Sequence, residues 1–101
     1  MSGHAPEAQK LLRELHDVLV DRGATYGDPY ANHQRIADLM SVVLSEKLTT
    51  SLTASDAVLM MVCVKLGRLM QSPGHEDSLR DIAGYAAIGL DVARFHPGVG
   101  K

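Results

Sequence analysis

Apolar residues recur at helical spacing along most of the chain, and nowhere do they alternate with polar ones at the two-residue period of a strand. Leu11, Leu12, Leu15, Val18 and Leu19 mark one face of a first helix that Pro6 opens, with Glu7, Glu14, Asp17 and Asp21 on the other side. Gly23 is its expected C-cap, which puts the helix end near Arg22. The stretch Arg22-Gly23-Ala24-Thr25-Tyr26-Gly27-Asp28-Pro29 then reads as a defined loop, with two glycines and a proline close together. Ile36, Leu39, Met40, Val43 and Leu44, with Ala37 beside them, predict a second helix from about Pro29–Ala31 to about Lys47. Residues 48–53 are rich in Ser and Thr and form a linker. Thr53-x-x-Asp56 and Ser55 supply N-cap signals for a third helix over Ala57–Met70. Pro73-Gly74 breaks it, and a fourth helix runs from near His75 to about Phe95, before His96-Pro97-Gly98. The pattern predicts one all-α, four-helix-bundle-like domain over residues 1–101, with 1–5 a disordered start and 96–101 a tail.

The third helix carries Ala57-Val58-Leu59-Met60-Met61-Val62-Cys63-Val64, an unbroken apolar run. Wound on a helix it is apolar all round, and such a helix needs neighbours all round. Four short helices can hardly enclose one of their own number, so a second copy of the chain is expected to cover part of it. The alternative is a central helix sandwiched by the other three.

Composition narrows the function. Aromatic residues make up only 4% of the chain, so the core is aliphatic. The formal net charge is −2 and the Lys and Arg residues are scattered, which argues against a nucleic-acid polymer as partner while leaving a mononucleotide open. The one cysteine, Cys63, sits in the apolar run and is expected to be a buried small hydrophobe. No apolar stretch resembles a signal core or a bilayer span, so no membrane role and a cytoplasmic location are expected.

Candidate chemistry falls in two places. Lys65 and Arg68, three apart, share a face of the third helix, while Asp77, Asp81 and Tyr85 form a stripe with four-residue spacing on the fourth. An antiparallel hairpin about Pro73-Gly74 would set these faces opposite each other. They would then form either a salt-bridged seam or a ligand site in which Lys and Arg take phosphate oxygens and Asp takes a ribose hydroxyl. The second place is the Arg22–Asp28 loop, where Gly23 and Gly27 allow close backbone approach to an anion. Arg22 adds charge there, Tyr26 or Tyr85 can stack on a base, and Asp28 is placed to cap the next helix. Asn32 and Arg35 follow, with His33 beside them as a conceivable base lacking a triad partner. The other histidines show no metal-ligand spacing. If a metal were held, Asp56, Asp77 and Asp81 would be its ligands, with Mg²⁺ the ion and an enzyme the consequence; otherwise no cofactor is expected.

These residues, taken as the set Arg22-Gly-x-x-Tyr26-Gly27-Asp28, Asn32, Ile36-Ala37, Asp56, Lys65-x-x-Arg68 and Asp77-x-x-x-Asp81-x-x-Gly84-Tyr85, resemble a family of short proteins found mainly in bacteriophages. The resemblance covers about residues 14–90. The set is similar in turn to the phage all-α domain called nucleotide-modification-associated, and distantly to the all-α pyrophosphohydrolases of the MazG and dimeric dUTPase group. That resemblance implies dimers or tetramers with nucleotide sites at subunit interfaces. Those enzymes hold Mg²⁺ with E-x-x-E on one helix and E-x-x-D on the next; no E-x-x-E occurs in this chain, and Lys65 and Arg68 stand where acids would be wanted. The reading that follows is a nucleotide-binding homo-oligomer that sequesters a nucleotide or nucleotide-derived signal, as an anti-defence sponge would. A Mg²⁺-dependent (d)NTP pyrophosphohydrolase and a structural protein-interaction module are the alternatives.

Overall fold

In the computed structural model, which describes residues 4–95 (the side chains of Tyr26 and Phe95 excepted), four α-helices follow one another: α1 Pro6–Tyr26, α2 Pro29–Val43, α3 Ala54–Gln71 and α4 Glu76–Phe95. No strand occurs among the described residues. Most of the expected disordered start and the whole expected tail lie outside that range.

The helix starts follow from local chemistry. Pro6 opens α1 and Pro29 opens α2, where a missing N–H costs nothing. Asp28 caps α2, its carboxylate accepting from the N–H groups of Tyr30 (3.2 Å) and Ala31 (3.4 Å). Thr53 caps α3 in a full capping box. Its hydroxyl accepts from the Asp56 N–H (3.1 Å), and the Asp56 carboxylate accepts from the Thr53 N–H (2.9 Å). With Thr53 as cap, α3 begins at Ala54, a little before the expected Ala57.

The expected Arg22–Asp28 loop is mostly helix. α1 continues through Gly23 to Tyr26, and Gly27 is the residue that ends it, at φ 78°, with its N–H donating to the Gly23 carbonyl (3.0 Å). A glycine inside a helix costs only about 1 kcal/mol and does not stop it. The φ of Gly27 is one that L side chains rarely adopt, and Asp28-Pro29 already starts the next helix. The chain reversal therefore takes two residues. At its far end α2 stops at Val43, short of Lys47, in a turn over residues 44–47.

α3 packs on both α2 and α4, while α1 touches α4 and α2. The centre is Ala54, Val58, Ile88 and Val92, with Leu19, Tyr30 and Tyr85 laid against it. Val58 of α3 packs on α4 at Gly89, its Cγ1 3.5 Å from where a Cβ would sit, an ordinary van der Waals distance. Of the apolar face expected on α1, Leu15 is buried, whereas Leu12 and Val18 remain exposed. The radius of gyration is 15.3 Å, above the ~13 Å typical of a compact domain of this length. Cys63 is exposed, contrary to the expected burial, because α3 is covered by α2 and α4 on one side only. No helix among the described residues is long and apolar enough to cross a membrane.

Candidate functional site

α3 and α4 form the expected antiparallel hairpin, and it brings Lys65 Nζ to 3.1 Å of Asp81 Oδ2. Arg68 and Asp77 do not extend this seam. Three residues on from Lys65 is about 60° off the contact line, and four residues back from Asp81 is about 40° off it. Arg68 Nη2 instead lies 3.1 Å from His75 Nε2, and His75 Nδ1 is 2.8 Å from Ser78 Oγ and 3.3 Å from the Ser78 backbone nitrogen. Asp77 is exposed.

Asp81 and Tyr85 also face α1. They line a hollow of about 140 Å³ with Arg22, Leu19, Arg80 and Gly84. An adjoining hollow of about 50 Å³ shares Leu19, Arg22 and Ile88 with the first and adds Gly23, Gly27, Asn32 and His33. The last turn of α1, the first turn of α2 and the middle of α4 thus border one cleft. Of the residues expected to bind a ligand, the structure brings Arg22, Asn32, Asp81 and Tyr85 to it, with Lys65 held behind by Asp81. Arg35, Arg68 and Asp77 line neither hollow, and Asp28 serves as a helix cap. Tyr26 ends α1 next to the cleft, but its side chain lies outside the described set.

Among the described residues His33 is the one buried histidine, 3% exposed. Its Nδ1 lies 2.9 Å from the Pro29 carbonyl. A carbonyl only accepts, so Nδ1 carries the proton. The ring meets Tyr85 edge-on, centroids 6.2 Å apart at 87°. This contact positions Tyr85 between α2 and α4.

Arg80 is a cleft residue that sequence reasoning missed. Its guanidinium donates to Glu14 of α1 (2.6 Å) and to Glu76 one turn earlier in α4 (2.7 Å). The i,i+4 pair with Glu76 is visible in the sequence; the partnership with Glu14 is not. The hydrogen bond from Arg80 holds the Glu14 carboxyl below its usual pKa against some desolvation, and the two carboxylates raise that of Arg80.

The three carboxylates named as possible metal ligands do not converge. Asp56 is spent on the α3 cap, nine residues before Lys65 and so about 13 Å along the axis from the level of Asp81. Asp81 faces a lysine, and no group of three potential ligands occurs among the described residues. Within one chain this donor set does not fit Mg²⁺.

Comparison with known proteins agrees with a phage lineage. A gene 55 protein of Mycobacterium phage L5 is 39% identical over 67 residues, covering 66% of this chain and 41% of its own length. A gene 55 protein of Mycobacterium phage D29 is 32% identical over 80 residues, covering 79% and 46%. The chain thus spans less than half the length of the curated relatives it matches. No solved structure matches it. The chain belongs to the family described as Domain of unknown function (DUF6378), whose model matches residues 10–93.

Proposed function

We propose that this member of the DUF6378 family binds a nucleotide or nucleotide-derived small molecule in the cleft between α1, α2 and α4. The observation that carries the reading is the meeting of Arg22, Asn32, Asp81 and Tyr85, drawn from three helices, around two adjoining hollows that share Arg22. These are the groups a nucleotide asks for: a guanidinium for phosphate, a carboxylate and an amide for ribose or base edges, and an aromatic ring for stacking. The two hollows that make up this cleft, about 140 and 50 Å³, are well below the ~300 Å³ at which small-molecule pockets begin. A second copy therefore completes the pocket, and the protein works as a homo-oligomer. With Asp56 committed to a cap and Asp81 to a lysine, and no cluster of three potential ligands among the described residues, the role is retention rather than hydrolysis. Among phage relatives, retention of a signalling nucleotide of the host's defence, in the host cytoplasm, is the use that fits.

Calorimetry of the full chain against mononucleotides, cyclic nucleotides and ADP-ribose derivatives tests this. Binding that is lost in Arg22→Ala and in Tyr85→Leu supports it. No heat across the whole panel overturns it, and Mg²⁺-dependent release of phosphate or pyrophosphate would replace it with the pyrophosphohydrolase reading.

A further inference from the structure

The α3–α4 hairpin carries a broad apolar face that no other part of the described chain covers. On α3, Leu59, Cys63, Leu66 and Met70 are exposed and spaced four, three and four apart, the spacing of a coiled-coil seam. On α4, Leu79, Ile82, Ala86 and Leu90 follow at three, four and four. Between the two rows runs a groove of about 370 Å³, lined by Leu59, Val62, Ile82, Ala86 and Gly89, with Tyr85 and Ser55 supplying what little polarity it has.

We propose that this face is the contact between two copies of the chain, which pair their α3–α4 hairpins about a two-fold axis into a four-helix bundle. Three observations select a second copy as the occupant. Heptad spacing on both helices of a hairpin is the pattern that packs against another such hairpin. Neither row carries a charge, so the face is self-complementary without needing an oppositely charged partner. The exposed fractions of Leu59 (63%), Leu66 (49%), Met70 (87%), Leu79 (47%) and Leu90 (57%) leave roughly 600 Å² of apolar side chain, most of the ~800 Å² per partner in a standard interface and at the top of what a monomer ordinarily exposes in one patch. Tyr85 lines both this groove and the polar cleft, so pairing here sets the ring that the cleft uses. In that one respect the inference rests on the reading of the cleft as a site; the pairing itself does not.

Sedimentation of the full chain without nucleotide tests the pairing. The wild type is expected at twice the 10.9 kDa chain mass. Leu59→Glu with Leu66→Glu is expected at the single mass with unchanged helical circular dichroism, both positions being exposed in the lone chain. Val42→Glu, on the outer surface of α2, is expected to leave the dimer intact. A short bismaleimide is expected to join Cys63 of one copy to Cys63 of the other, which decides the matter should the double variant fail to fold. A wild type that is monomeric at high micromolar concentration overturns the proposal, as does a dimer that survives both α3 substitutions or in which Cys63 does not cross-link. A dimer without nucleotide affinity would sink the ligand reading alone.

Discussion

Lys65 and Asp81 meet across the α3–α4 hairpin at 3.1 Å, with side chains 26% and 45% exposed, at the edge of the cleft that Tyr85 and Arg22 share. A pair so placed contributes little to stability, below ~1 kcal/mol once solvent screening is allowed for. Lys65→Met with Asp81→Leu is therefore expected to melt within a few degrees of the wild type while losing affinity for the nucleotide found by calorimetry. Unchanged affinity in the folded double variant would make the pair a seam and nothing more.

The Arg80–Glu14 contact makes the seating of α1 sensitive to acid. Because the folded-state pKa of Glu14 is lowered, its contribution is present above the ordinary Glu value and is lost as pH falls through the lowered one. α1 is thus expected to loosen only as pH falls below the ordinary Glu range, as read by hydrogen exchange of the α1 amides. Glu14→Gln should remove that step while the rest of the acid titration stays.

Burial of His33 with a single backbone partner makes it costly to replace by an apolar side chain. His33→Leu leaves the Pro29 carbonyl without its imidazole donor and Tyr85 without its edge contact. A loss of about 1–3 kcal/mol is expected in urea denaturation. A neutral result would show that Pro29 is satisfied otherwise.

Two helix-level substitutions check the capping and glycine arguments in opposite directions. Thr53→Ala removes one half of the α3 capping box and should cost ~1 kcal/mol. Gly67 lies inside α3 with nothing within 4 Å of an added Cβ, so Gly67→Ala should stabilise by roughly 0.5–1 kcal/mol. Thermal denaturation with opposite shifts in Tm is the expected outcome.

Helix identities, the Thr53 and Asp28 caps and the Lys65–Asp81 pairing were legible in the sequence because each depends on spacing within one element or across one short hairpin. The end of α1 was not. Gly23 and Gly27 are equally glycine, and only the conformation of the chain reversal distinguishes the one at φ 78° from the one inside the helix. The exposure of Cys63 was equally hidden, since an apolar run shows that a helix wants neighbours without saying how many it finds within its own chain. Arg80 was missed because its decisive partner, Glu14, is 66 residues away.

Arg80 also links two events that have so far stood apart. Its Nη1 is committed to Glu14 and its Nη2 to Glu76, yet the same side chain forms a wall of the cleft. An anion that recruits this guanidinium does so at the expense of the bond that fastens α1 to α4. On the proposed ligand reading, filling the cleft and fastening α1 to α4 would draw on the same fork of donors.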